Sequence, residues 1–286
     1  LFFPQTIVEQ HPLFVNTYNI DLISFVAEET TMEKRPLILV TNDDGITAPG
    51  IKNLVEAVKE FGDLIIVAPD KPQSAMGHAI TVNVPLYVHV TDYFQEHRAY
   101  STSGTPVDCV KLAMHILKDV KPDLVVSGIN HGSNAATNVL YSGTMSAAVE
   151  GALDGIPSIG FSLLDFSHEA DFEASRGIVK KVVASGLKNG IPKDTCLNVN
   201  IPKLKPEQIK GIRICRQARA FWDDGFEERT TPFGRKYYWL TGEFSNYDGG
   251  EDTDMWALNN GYVSVVPTQF DMTAHHSIAD LNTWDI

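Results

Sequence analysis

Leu37-Ile38-Leu39-Val40-Thr41-Asn42-Asp43-Asp44-Gly45 is the stretch on which the reading of this chain turns. An unbroken apolar run passes directly into a polar turn carrying two adjacent carboxylates. A strand buried on both faces has this pattern, because neither face is left for water. The expectation is a strand over residues 37–40, with Asp43 and Asp44 just beyond its carboxyl end.

Working outward, the same alternation recurs. Ile51, Leu54, Val55, Val58 and Phe61 repeat at helical spacing behind Pro49, a residue suited to a first helical turn. Residues 64–67 read as a second buried strand, and 86–90 with 98–101 as a strand pair. Val107, Val110, Met114 and Leu117 mark a helix. Residues 123–126 are a strand followed by a long loop rich in Gly and Asn. Met145, Ala148, Val149, Ala152 and Leu153 form another helical stripe, 157–161 a strand, and 172–187 a helix. Apolar strands separated by amphipathic helices predict an α/β fold, a mostly parallel sheet with helices on both faces. Ligands of such sheets bind beyond the carboxyl ends of the strands.

Past residue 195 the character changes. Residues 196–201 and 211–216 read as strands, and 217–250 as an extended hairpin carrying Phe221, Trp222, Tyr237, Tyr238 and Trp239. A short helix over 254–259 and a last strand over 262–266 follow. The tail, 271–286, shows no pattern. The division expected is an extension over 1–33, an α/β domain over 34–270 that includes the hairpin, and the tail.

Residues 1–33 hold no Lys or Arg, which argues against a secretory or transit leader. Pro4, Glu9, Gln10, His11, Pro12 and Asn16 interrupt them too often for a spanning helix. Met32 stands just before the first strand, so the expectation is that it is the natural start, or that a poorly ordered extension precedes it. The 286 residues are 43% hydrophobic and 21% charged, enough for a substantial core. The net charge of −13 opposes wrapping a nucleic-acid polymer, while a small phosphate ester can still bind where a cation or helix start reverses the local field. Cys109, Cys196 and Cys215 are odd in number and widely spaced, giving neither a disulfide framework nor a zinc site; this fits a cytoplasmic protein.

Three strand-following loops carry candidate chemistry. In Asn42-Asp43-Asp44-Gly45 the turn can bring two carboxylates to one point, an arrangement hard cations favour; the same residues also read as plain turn chemistry. In residues 68–78, Ser74 offers a hydroxyl ligand, with Lys71 and His78 as phosphate partners, or the loop is purely structural. In residues 127–134, Asn130 offers a neutral oxygen. His131 is there the residue best suited to acid–base work, its ordinary pKa being about 6.5, or a solvated bystander. Two triplets, Ser103-Gly104-Thr105 and Ser142-Gly143-Thr144, each precede an expected helix and read either as phosphate seats or as simple caps. The remaining histidines lack ligand spacing, and neither a nucleophile elbow nor a Walker loop is present.

Taken in order, Val-Thr-Asn-Asp-Asp-Gly at 40–45, the Ser74 loop, Gly-Thr-Pro-Val-Asp-Cys-Val at 104–110, Ser-Gly-Ile-Asn at 127–130 and Tyr-Ser-Gly-Thr at 141–144 closely resemble the SurE family of nucleotidases. The resemblance spans roughly residues 36–270. It implies a Rossmann-like core with a C-terminal hairpin and arm used in homodimer or homotetramer assembly. It also implies hydrolysis of nucleoside 5′- and 3′-monophosphates, with short polyphosphate trimmed by some members. It implies one divalent ion per subunit, Mg²⁺ or Mn²⁺, on Asp43, Asp44, Ser74 and Asn130. Ser142, Gly143 and Thr144 would contact phosphate, with Asn42 beside the metal. Catalysis would then fall to Asp43, Asp44 and Asn42, leaving attack by water or by an aspartate open. Two rivals stand beside this reading: a phospho-accepting signalling module and a nucleotide-binding scaffold without catalysis. Neither a membrane nor a nucleic-acid polymer is expected as a partner.

Overall fold

The first strand, β1 (Leu37–Thr41), lies at the centre of the sheet, and its apolar run has the cause proposed for it. Ile38 and Val40 pack toward one layer of helices while Leu39 packs toward the other. A strand sandwiched in this way has no wet face. The computed structural model describes residues 35–167 and 169–286; the expected 1–33 extension and Met32 lie outside the described residues.

From β1 the chain runs through α1 (Pro49–Val58), β2 (Asp63–Pro69), β3 (Val88–Thr91), β4 (Arg98–Thr102), α2 (Pro106–Leu117), β5 (Leu124–His131), α3 (Gly143–Leu153), β6 (Ser158–Leu163) and α4 (Glu173–Asn189). Then come β7 (Thr195–Ile201), β8 (Ile212–Ile214), β9 (Ala220–Thr230), β10 (Lys236–Asn246), α5 (Asp254–Asn259), β11 (Val263–Gln269) and α6 (Ile278–Leu281). The main sheet has the order β3-β4-β2-β1-β5-β6-β7-β11-β8. Pairing is parallel from β4 across to β7, with β3 antiparallel at one edge and β11 antiparallel to β7. Helices α1 and α4 cover one face, α2 and α3 the other. This is the α/β architecture expected. The hairpin β9–β10 is a separate two-stranded ribbon.

The order places β2 and β5 on opposite sides of β1. The crevice between the carboxyl ends of β1 and β5 is therefore a topological switch point, where open α/β sheets receive ligands. Two departures from expectation matter here. β5 does not stop at residue 126 but continues to His131, so residues 127–131 belong to a strand rather than a loop. Its register against β6 shifts between Ser127 and Asn130. Gly128 adopts φ +127°, and a Cβ there would lie 2.3 Å from the Phe161 carbonyl oxygen, so the irregularity needs glycine. The tail also holds more structure than expected, a single 3-10 turn over His275–Ser277 and the four-residue α6.

Candidate active site

Asn42, Asp43 and Asp44 leave β1 at the switch point. The side-chain amide of Asn42 donates to the Gly45 carbonyl at 2.9 Å, closing the turn that holds both acids. Asp43 is buried, and its Oδ1 accepts a 2.6 Å hydrogen bond from the Thr144 hydroxyl. Asp44 is more open, and its Oδ2 accepts from the His131 backbone N–H at 3.3 Å. The two acids thus face different neighbours: Asp43 the start of α3, Asp44 the end of β5.

The Ser74 loop is strapped over this turn. Gln73 N–H donates to the Asp43 carbonyl at 2.7 Å, and Gly77 N–H to the Tyr141 carbonyl at 3.2 Å. Beyond it, His78 Nε2 lies 2.8 Å from Oε2 of Glu150, whose other oxygen takes Lys111 Nζ. Glu150 is buried on α3, so one carboxylate ties the loop to both α2 and α3. His78, singled out as a phosphate partner, makes this bond, and Lys71 is absent from the cavity lining described below.

At the end of β5, Asn130 turns its amide nitrogen to the Gly132 carbonyl at 3.0 Å, which leaves its oxygen available to a cation. The His131 ring meets Phe172 edge to face, with centroids 5.2 Å apart. Ser142 caps α3, accepting the Met145 N–H at 3.0 Å, and its own hydroxyl hydrogen remains free to donate. Gly143 is required by proximity, since a Cβ there would meet Asp43 Cβ at 2.7 Å and Pro106 Cγ at 3.1 Å.

The other triplet has a different fate. Thr105 and Asp108 form a reciprocal capping box at the start of α2, and Thr105 Oγ1 also donates to the Ala79 carbonyl at 2.7 Å. Ser103 Oγ accepts from Tyr87 N–H at 3.0 Å, and a Cβ on Gly104 would strike Asp108. Ser103, Gly104 and Thr105 are absent from the cavity lining, and their side-chain bonds are those of a cap and its neighbouring strap.

A cavity of about 1030 Å³ opens here, ample for a small-molecule ligand. Asp43, Asp44, Ser74, Asn130, His131 and Ser142 line its polar part. Its other lining residues include Tyr141, Phe166 and the hairpin residues Phe221, Trp222, Asp224, Leu240, Thr241 and Gly242. Sequence reasoning did not place Phe166, Glu150 or the hairpin at the site. For Glu150 a signal existed: it is the one acid inside the small and apolar run Ala147-Ala148-Val149-Glu150-Gly151-Ala152.

Burial first, then the charge of Asp44, pushes the Asp43 carboxyl up to about 6, against the pull of the Thr144 bonds. Burial also raises Asp44, partly offset by the His131 backbone N–H. Among the described residues no Lys, Arg or His side chain forms an ion pair with either acid. The Asn42 Oδ1, buried beside them, has no hydrogen-bond partner. Two adjacent acids with no ion-pair partner among the described residues, and further oxygen donors from Ser74 and Asn130, fit a hard divalent cation. No cluster of three or more His, Cys, Asp or Glu that could hold a metal occurs among the described residues. The expected donor set contains only two such residues and takes its other oxygens from Ser and Asn.

A parallel α/β sheet with paired acids and a helix start converging at its switch point belongs to the class of proteins that hold small anionic ligands at the carboxyl edge. The family model described as Survival protein SurE matches residues 38–224. The protein named 5′-nucleotidase SurE from Flavobacterium psychrophilum is 60% identical over 255 residues, covering 88% of this chain and 98% of the relative. Its namesake from Christiangramia forsetii is 61% identical over 257 residues, covering 89% and 98%. The crystal structure of the SurE protein from Aquifex aeolicus superposes with a TM-score of 0.76 at 41% identity, covering 86% of this chain and 98% of that one. The chain belongs to the SurE family.

Proposed function

We propose that this chain hydrolyses nucleoside 5′-monophosphates to nucleoside and phosphate with the help of one divalent cation. SurE membership makes it a phosphoric monoester hydrolase, and its relatives bear the name 5′-nucleotidase. The single observation that carries the finer reading is the convergence of Asp43 and Thr144, joined at 2.6 Å, where β1 ends and α3 begins. What supports the reading is that acids suited to a cation lie there beside the start of a helix, whose N–H groups suit a phosphoryl group.

Asp43, Asp44, Ser74 and Asn130 are the residues that would hold Mg²⁺ or Mn²⁺. When bound, such a cation neutralises charge on the phosphoryl group and polarises its oxygens. The Ser142 hydroxyl and the Gly143 N–H, at the start of α3, donate to the phosphoryl oxygens as charge builds on them, while Thr144, whose hydroxyl and N–H both serve Asp43, holds that helix start against the acid. Removing one such preorganised donor lowers turnover by about 10²–10³. Asn42 keeps the acid pair in place through its bond to Gly45. His131, on the cavity wall, supplies a proton to the ester oxygen as its bond to phosphorus breaks and water takes its place. Nucleoside 3′-monophosphates and short polyphosphate present the same phosphoryl chemistry and belong in the same assay.

Two further assignments complete the reading. The chain is cytoplasmic, a placement supported by three buried, unpaired cysteines; no helix among the described residues is long and apolar enough to cross a membrane. It assembles as a homodimer or homotetramer through the hairpin, a reading supported by the exposed Phe226, Phe233, Tyr238 and Trp239.

The test is phosphate release from AMP with Mn²⁺, repeated with chelator and with Asp44→Asn. Turnover that needs the cation and falls in the variant supports the proposal. Near-normal activity or cation affinity in Asp44→Asn would rule out the assigned role. Stoichiometric self-labelling by a small phosphodonor would indicate a signalling module, and nucleotide binding without turnover a scaffold.

A further inference from the structure

The phosphoryl end of the cavity is accounted for, but its apolar wall is not. Phe166 lies on a short loop after β6, 80% exposed, with its side chain on the cavity wall. The ring is nonetheless built into place. It rests against Gly132, where an added Cβ would come within 2.2 Å of Phe166 Cε1 and 2.7 Å of Cζ. Only a glycine beside His131 therefore lets the ring lie there.

The backbone on both sides is pinned. Leu164 N–H donates to the Ile201 carbonyl at 2.9 Å, and Asp165 N–H to the Leu163 carbonyl at 2.7 Å. The Asp165 carboxylate in turn accepts from Ser167 N–H at 3.0 Å and from Lys203 Nζ at 2.9 Å. Of the cavity's other large rings, Phe221 stacks on Tyr247 with centroids 4.8 Å apart. Trp222 meets Phe244 edge-on and donates its indole N–H to Asn138. Tyr141, also exposed on the cavity wall, directly precedes Ser142 in the chain. Phe166 has no aromatic partner among the described residues, and it touches the strand end that bears Asn130 and His131.

We propose that Phe166 is the platform on which the nucleobase stacks, and hence the residue that makes this phosphatase prefer nucleotides to base-free phosphate esters. The proposal rests on the nucleotide reading above and deepens it. Stacking suits any base, since every base has a π face, so Phe166 selects for a base without selecting which one.

The experiment compares AMP with ribose 5-phosphate, both with Mn²⁺, in the native protein, Phe166→Ala and Phe166→Trp. The expected result is that Phe166→Ala lowers kcat/KM for AMP roughly tenfold more than for ribose 5-phosphate, mainly through KM, as loss of one base–aromatic stack implies. Phe166→Trp restores the preference. Equal change on both substrates, or none on AMP, overturns the proposal. Equal loss together with smaller particles in light scattering assigns the ring to contact between copies instead. Failure of the native protein to release phosphate from AMP is a different result, which removes the nucleotide reading itself.

Discussion

Thr144 donates its hydroxyl hydrogen to Asp43 across 2.6 Å, joining the first turn of α3 to the end of β1. The bond eases, without cancelling, the difficulty of keeping a carboxylate in that position. Burial and the charge of Asp44 still leave Asp43 at about 6 against an ordinary 3.8.

The sign of the resulting pH dependence is fixed. A carboxyl whose pKa is raised on folding contributes stability that is full below the unfolded value and lost as pH rises through about 6. In protein free of divalent ions, ionised Asp43 therefore destabilises the fold at pH 7, by about 3 kcal/mol. Asp43→Asn is expected to raise Tm at pH 7 in chelator, with the advantage shrinking toward pH 4. The same variant is expected to lose the Tm increase that Mn²⁺ gives the native protein. Thermal melts across pH check both, and an advantage independent of pH would contradict the account.

Gly143→Ala tests how closely α3 approaches Asp43. The added methyl carbon would sit 2.7 Å from Asp43 Cβ and 3.0 Å from its Oδ2, forcing the acid or the helix start to move. Displacement on this scale is expected to lower turnover by about 10²-fold while the protein still folds. Phosphate release read beside circular dichroism separates the two effects.

Glu150→Gln tests the strap over Ser74. The substitution keeps the shape but removes the charge that serves both Lys111 and His78. Leaving a buried group poorly matched typically lowers stability by about 1–3 kcal/mol. Because the strap positions Ser74, the Mn²⁺ concentration for half-maximal activity is expected to rise more than kcat falls. A lower Tm with unchanged cation dependence would make the strap a purely structural brace.

The hairpin reading predicts that Phe226→Ser with Trp239→Ser reduces particle size in light scattering. Both side chains are more than half exposed, 71% and 57%, so neither change removes core packing. An unchanged particle would dismiss the hairpin as the assembly surface.

The fold could be read from the sequence because its centre is periodic. The run 37–40 and the stripe Ile51, Leu54, Val55, Val58 state their burial directly, and the structure buries all of them except Leu37, which is half-buried at the start of the strand. The extension of β5 was hidden, because Ser127-Gly128-Ile129-Asn130 breaks the apolar run. Its pairing to β6 is supplied by a neighbour far away in the chain. The two Ser-Gly-Thr triplets show the same limit. They read alike, yet one helix starts against Asp43 and the other against the strap at Ala79, a distinction made only by how the strands order in the sheet. Phe166 belongs to no periodic run at all, so nothing local marks it.

Trp222, Asp224, Leu240, Thr241 and Gly242 put one side of the cavity on a ribbon that pairs only with itself and stands outside the main sheet. A neighbour gripping that ribbon from outside would steady the chamber within, and a guest inside would steady the ribbon for its neighbour. Such mutual support is symmetric by thermodynamic necessity. Dilution that separates copies would then loosen the hold on the guest, and saturating guest would draw the copies together.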